Sequence, residues 1–184
     1  MNGEKSRGLA ADISDAVVRH WTEAAPDDRL AHLVLHVARG LRRSLELRLA
    51  EHDVPFGHWV FLRVLWLEDG LAQRELSIRA GVTEPTTHTA ISKMEAMGLI
   101  ERRPPIAGRR RLHVFLTDAG RALEEKLVPL AEEANAVALR SLSSYQIEQL
   151  RTSLLTMVTN LAVDETDALA EGRKVAPTRA LNKN

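Results

Sequence analysis

The 184-residue chain contains no cysteine, few aromatic residues and no net charge. The absence of cysteine excludes disulfides and thiolate metal sites. No apolar run reaches the roughly 18 residues that a membrane-spanning helix needs, and the first residues lack the apolar core of a signal peptide. We therefore expect a globular protein of the cytoplasm that does not associate with membranes.

Recognisable catalytic motifs are also missing. The sequence has no G-x-S-x-G, no H-E-x-x-H and no glycine-rich phosphate-binding loop. His32 and His36 have a spacing that could hold a metal, but no acidic residue completes a ligand set nearby. We expect no enzymatic activity, no bound metal and no cofactor.

The neutral total hides a local concentration of positive charge. Residues 71–121 carry nine Lys/Arg and five Asp/Glu, and the densest basic stretch is ERRPPIAGRRR at 101–111. A basic centre between acidic flanks indicates a surface that binds a polyanion. A solvated arginine-rich loop would have the same composition, so charge alone leaves both interpretations open.

Hydrophobic periodicity predicts helices in the first part of the chain. A first helix is expected over Leu9–Glu23 and a long second helix over Arg29–Glu51. Pro55 disfavours a helical residue before it, so the long helix should end there. An apolar helix should follow at 58–70.

Helix breakers become frequent in the middle of the chain and predict a helix-turn-helix. Short helices are expected at Gln73–Ala80 and Glu84–Met97, joined by a turn at Gly81. Two strands, 99–103 and 112–117, then flank the turn sequence PPIAG. A helix-turn-helix followed by a hairpin is a winged helix.

The remaining sequence predicts two long helices. The first is capped by Thr117 or Asp118 and extends to about Ser141, with Pro129 expected to kink or break it. Ser143 and Gln146 predict a capping box for the second. That helix carries an apolar seam at spacings of three and four, formed by Ile147, Leu150, Leu154, Met157, Val158 and Leu161.

The segment QRELSIRAGVTEPTTHTAISKMEAMGLIERR, the arginines after it and LTDAGRAL together resemble the winged helix of the MarR family of bacterial transcription regulators. The resemblance is close over 71–123 and extends in helix layout over 30–163. It implies a homodimer that presents two winged helices to a palindromic operator. In many members a small aromatic acid or a coenzyme A thioester releases the DNA. The family also leads us to expect an acidic residue two positions before Arg110, where this chain has Gly108.

The predicted elements give a mainly α protein with a small β-hairpin wing. Residues 1–25 form an N-terminal helical extension, and 26–70 together with 124–172 form a helical dimerisation region. Residues 71–123 form the winged helix-turn-helix DNA-binding domain. Residues 173–184 form a flexible tail.

The recognition helix is expected to turn its main apolar residues, Ala90, Ile91, Met94 and Met97, inward. Its outer face is then polar but has no arginine or glutamine for a bidentate base contact, so DNA shape should supply part of the specificity. The narrow wing tip suits a minor groove, and one of Arg102 and Arg103 should face the domain. The predicted DNA contacts are Gln73, Arg74, Thr86, Thr87, His88, Thr89, Lys93, Arg109, Arg110 and Arg111.

An effector pocket is predicted on the two helices before the winged helix. An aromatic acid needs a flat apolar wall and a donor for its carboxylate. Trp59 could be the wall, and His36, Arg39 or Arg63 the donor. The alternative is that the tryptophans belong to the core and the arginines are solvated.

The sequence therefore predicts a DNA-binding transcription regulator. We expect a homodimeric repressor that a small aromatic acid or its coenzyme A thioester releases from the operator. The alternative is a winged-helix module that binds other proteins and has neither DNA binding nor a ligand response.

Overall fold

The computed structural model describes residues 17–19, 23, 30–104 and 112–174. The chain divides into two compact units between Ser44 and Leu45, inside the first long helix. Residues 17–19 are helical, as predicted. The rest of the helix predicted over Leu9–Glu23, the wing tip at 105–111 and the end of the tail lie outside the described residues.

The described chain is mainly helical and carries a small sheet. In chain order its elements are α1 (Leu30–Leu49), a short 3-10 helix (Ala50–His52), α2 (Phe56–Leu67), β1 (Leu71–Ala72), α3 (Gln73–Ala80), α4 (Glu84–Ala96), β2 (Ile100–Arg103), β3 (His113–Leu116), α5 (Asp118–Leu139) and α6 (Ser144–Ala170). This order confirms the predicted winged helix flanked by long helices. None of the described helices combines the length and the apolar character that crossing a bilayer requires.

Helix α2 begins earlier than predicted, and the reason is Pro55. This residue is the N-cap, with φ −62° and ψ 147°, and its fixed φ favours the start of a helix as much as it ends the one before. At the other end Glu68 is extended, with φ −151°. The prediction of 58–70 was therefore displaced by two to three residues at each end.

The sheet has a third strand that the sequence analysis missed. Its order is β1-β3-β2, and both neighbours are antiparallel to the central β3. Leu71 pairs with Val114, and Ile100 with Leu116. A strand of two residues is too short to produce an alternating pattern, so its pairing is visible only in three dimensions.

The caps of α5 and α6 confirm the predicted signals. Thr117 is the N-cap of α5, where its hydroxyl accepts from the backbone N–H of Gly120 at 3.1 Å. Ser143 and Gln146 form both bonds of the capping box. Of the predicted kink or break at Pro129, the break is wrong, because α5 continues through this residue. A proline removes one backbone donor, which a long helix can tolerate.

The core lies beneath the helix-turn-helix. It is built by fully buried side chains from α2, α3, α4, the sheet and α5: Phe61, Leu62, Leu65, Leu76, Ile91, Met94, Ile100, Val114 and Leu127. Trp66 Nε1 donates to the carbonyl of Gly120 at 3.0 Å, which ties α2 to the first turn of α5. This packing fixes the position of the recognition helix relative to the sheet and the neighbouring helices.

Candidate nucleic-acid interface

The recognition helix is α4, and the turn before it sets its direction. Gly81 has φ +66°, a left-handed conformation that glycine adopts without strain. Thr83 occupies the N-cap, although its side chain makes no capping hydrogen bond. Ile91 and Met94 are fully buried. The opposite face of α4 is consequently left open to a ligand.

Two residues, Thr87 in α4 and Met97 directly after it, differ from their predicted orientation. Thr87 was predicted on the DNA face, but it is fully buried and its hydroxyl donates to the carbonyl of Thr83 at 3.0 Å. It lies on the same side of the helix as Ile91 and Met94. Met97 was predicted inward and is 46% exposed, because α4 ends at Ala96 and Met97 begins the turn.

The other predicted residues of α4 are exposed: Thr86, His88, Thr89 and Lys93. The Thr89 hydroxyl donates to the carbonyl of Pro85 at 3.1 Å, so toward an external ligand this oxygen is left as an acceptor. Within the described chain, neither the His88 nor the Lys93 side chain makes a hydrogen bond or an ion pair. These two side chains keep their donor capacity for a partner.

Helix α3 places Gln73 and Arg74 in its first turn. Gln73 is half-buried. Arg74 is exposed, and its Nε lies 3.8 Å from Glu84 Oε1, a long and solvated ion pair. Such a pair is weak, so Arg74 can exchange Glu84 for an external anion at little cost.

Both arginines of β2, the first strand of the wing, interact with other side chains of the protein. Arg102 is half-buried and pairs with Glu95 of α4. Arg103 points to the other side, where its guanidinium lies 3.9 Å from the centre of the Phe115 ring and its Nε 2.9 Å from Glu101. The expectation that one arginine faces the domain is confirmed for Arg102. Gly108, Arg109, Arg110 and Arg111 fall within 105–111, outside the described residues.

The end of the sheet near α2 is organised by Asp69, which the sequence analysis did not single out. Its Oδ1 accepts from the backbone N–H groups of Gly70 and Leu116, both at 2.9 Å, and its Oδ2 pairs with Arg121. Aspartate before glycine is a common turn signal. That signal predicts a turn in EDG at 68–70, but not the long-range bond to β3.

The predicted effector residues have different environments. His36 is half-buried and Arg39 exposed on α1, while Arg63 is exposed on α2. Trp59 is only 4% exposed and meets the edge of Trp66, with ring centres 5.6 Å apart. The structure supports the alternative interpretation for Trp59, that of a core residue.

An open groove of about 470 Å³ lies at the connection between α1 and α2. It contains none of the four predicted effector residues. Its lining is Glu46, Ala50, Asp53, Val54, Pro55 and Phe56. Both charged members of this lining are carboxylates, which do not favour an anionic ligand. Among the described residues, no three His, Asp or Glu side chains are placed to share a metal ion.

His58, in the first turn of α2, is buried behind the recognition helix. It is 7% exposed, and its Nδ1 has no hydrogen-bond partner among the described residues. Burial, and then the charge of Lys93 on α4, hold the pKa of His58 below its ordinary value of 6.5. The neutral imidazole is therefore the form that the fold accommodates.

This lowered pKa predicts a loss of stability in acid. The contribution of His58 to folding is complete above the ordinary pKa and falls as the pH drops toward the lowered pKa, because the unfolded chain then binds the proton more readily. We expect urea midpoints to fall less between about pH 7.5 and 5.5 in His58→Leu than in the wild type. Equal pH dependence in both proteins would contradict this.

Comparisons with known proteins agree with the architecture. The profile described as "MarR family" matches residues 52–111. The transcriptional regulator TtmR of Methylorubrum extorquens is 31% identical over 101 residues, which are 55% of this chain and 52% of TtmR. The chain thus spans about half the length of that relative. The transcriptional repressor Rv2887 of Mycobacterium tuberculosis is 29% identical over 130 residues, 71% of this chain and 94% of Rv2887.

Solved structures share the same fold. Rv2887 in complex with salicylic acid superposes with a TM-score of 0.58 at 28% identity, covering 74% of this chain and 98% of that one. A MarR-family regulator from Listeria monocytogenes, crystallised with a 26mer DNA, gives a TM-score of 0.69 at 23% identity, covering 80% and 97%. The chain thus resembles the MarR family of winged-helix transcription regulators in a profile match over 52–111, in its relatives and in its fold.

Proposed function

We propose that the protein is a homodimeric repressor that binds a palindromic DNA operator through two winged helices and is released by a small aromatic acid or its coenzyme A thioester. The observation that carries the DNA part is the open face of α4. It presents His88 and Lys93, neither bonded within the described chain, beside exposed threonines. Hydrogen-bond donors beside small hydroxyl side chains suit the phosphates and base edges of a major groove.

The dimer is supported by α6. Along this helix most of the predicted seam is exposed: Leu150, Leu154 and Leu161 are 43%, 39% and 63% exposed, whereas Ile147 and Met157 are half-buried. Among the described residues of α6, Ala168 is the buried one. An apolar stripe of this length on a water-facing helix is typical of an oligomer interface. We assign residues 26–70 and 124–172 to dimerisation and 71–123 to DNA binding.

Repression and release are supported by relatives. Rv2887 is a transcriptional repressor, and its structure has been solved with salicylic acid. A ligand can release DNA only if it binds better to a conformation whose recognition helices do not fit successive major grooves. We propose that His36, Arg39 or Arg63 is the donor to the carboxylate.

DNA binding should depend strongly on salt. In a gel-shift series on a duplex selected from a randomised library by the wild-type protein, we expect log affinity to fall linearly with log salt concentration. Arg110→Ala should weaken binding and reduce that slope by about 0.9, the value for one lost phosphate contact. Lys126→Ala, which removes an exposed cation on α5, is the matched control and should change neither.

The same assay distinguishes a DNA-binding repressor from a winged-helix module that binds other proteins. A protein-binding module would select no duplex, or would bind DNA with an affinity that ignores salt. An unchanged slope in Arg110→Ala would remove Arg110 from the interface. Addition of salicylate to the wild-type complex should release the duplex; a complex that resists both salicylate and its coenzyme A thioester would refute the ligand response.

A further inference from the structure

The last turn of the recognition helix is bonded to the first strand of the wing through one carboxylate. Glu95 Oε2 accepts from Arg102 Nε at 3.0 Å and also from Arg102 Nη2. Its other oxygen accepts from the backbone N–H of Arg102 at 3.2 Å. Both oxygens of Glu95 are therefore used on a single residue of β2.

The two groups are held in their charged forms by each other. The hydrogen bond from Arg102 lowers the pKa of Glu95, and the bond from Glu95 raises the pKa of Arg102. The side chains are 36% and 27% exposed. A two-point guanidinium contact combined with a backbone bond fixes direction as well as distance.

This contact lies at the junction between the recognition helix and the first strand of the wing. Between α4 and β2 the chain passes through a three-residue turn, with Gly98 at φ +70°. Strand β2 then leads directly into the segment that contains Arg109, Arg110 and Arg111. A change in the angle between α4 and β2 would displace those arginines relative to the recognition helix.

We propose that Glu95 and Arg102 are positioning residues that hold the wing and the recognition helix in one orientation toward DNA, and that neither of them contacts the DNA. This inference rests on the proposed function. It gives Arg102 a role within the protein, unlike the predicted phosphate contacts of the ERRPPIAGRRR stretch, and it gives an acidic residue a favourable role in binding a polyanion.

The direction in which one substitution changes the DNA affinity distinguishes the positioning role from a simple electrostatic effect. Glu95→Ala removes a negative charge near the proposed DNA face, so charge alone predicts tighter binding. The positioning role predicts the opposite: an affinity lowered about tenfold, because the wing is no longer fixed. A phosphate contact by Arg102 would leave Glu95→Ala neutral or beneficial.

The experiment measures the anisotropy of the labelled duplex, selected as above, with Glu95→Ala, Arg102→Ala and the double variant. Each single variant should weaken binding about tenfold, and the double variant should be no weaker than the worse single, since both remove one coupled contact. Exchange of the charges, E95R with R102E, should restore part of the affinity. Circular dichroism melts check that every variant is folded.

Glu101→Ala is the matched control. Glu101 lies on the same strand and pairs with Arg103 two residues away, so its loss should leave binding unchanged or tighter. If Glu95→Ala does not fold, Glu95→Gln replaces it, since the amide keeps the shape but loses the charge, and should also weaken binding. Tight binding by the folded Glu95 variant, or additive losses in the double variant, would overturn the proposal. A wild-type protein that selects no duplex would instead refute the proposed function.

Discussion

Replacing Leu154 with aspartate should convert the proposed dimer to a monomer and lower DNA affinity by at least about 100-fold. Leu154 lies in the middle of the exposed apolar seam of α6 and is itself 39% exposed. A carboxylate there would have to be buried without a partner in the interface, which strongly disfavours association. A monomer engages one half-site and loses the gain that comes from two linked contacts, about 10² to 10⁴ in affinity.

Sedimentation velocity and the gel shift measure the two effects. Thr156→Asp is the control, because Thr156 is exposed on the opposite side of α6, with its hydroxyl bonded to the carbonyl of Thr152. It should remain dimeric and bind as the wild type does. A Leu154→Asp protein that still sediments as a dimer would place the interface elsewhere.

Gly120→Ala should destabilise the winged helix by about 3 kcal/mol, the upper range for overpacking of a rigid core. A Cβ at Gly120 would overlap the backbone carbonyl of Leu99, which cannot move as a side chain could. That carbonyl is already fixed by the N–H of Thr117 at 3.1 Å. The Gly120 carbonyl is in turn held by Trp66. Helix α5 would have to move, and the turn between α4 and β2, which contains Leu99, would have to move with it.

Gly57→Ala is the control for Gly120→Ala, because it replaces a helical glycine by alanine at a position without steric overlap. Gly57 lies in α2 with nothing within 4 Å of an added Cβ, so alanine there should stabilise the protein by up to about 1 kcal/mol. Chemical denaturation of both variants gives the comparison. If Gly120→Ala unfolds at the wild-type midpoint, α5 does not press on Leu99 as closely as the structure indicates.

The sequence predicted elements whose signals are local. The turn predicted at Gly81 is left-handed, and the capping box at Ser143 and Gln146 forms as expected. These features depend on residues within four positions of each other, so pattern and chemistry suffice to find them.

Long-range contacts were the part that the sequence could not supply. The bond between Asp69 and Leu116 spans 47 positions, and that between Trp66 and Gly120 spans 54. Thr87 shows the same limit within the recognition helix. Its polarity suggested the DNA face, but a hydroxyl that bonds the carbonyl four residues earlier can be buried as easily as a methyl group. Polarity alone did not give its orientation.

In the sheet order β1-β3-β2, the outer edge of β2 pairs with no other strand among the described residues. An unpaired strand edge is a template for aggregation with other chains, and proteins guard such edges with charge, proline and short length. Strand β2 has four residues, of which Glu101, Arg102 and Arg103 are charged, and Pro104 follows at once. The start of the basic stretch thus has the features that disfavour pairing of this strand with a strand of another molecule.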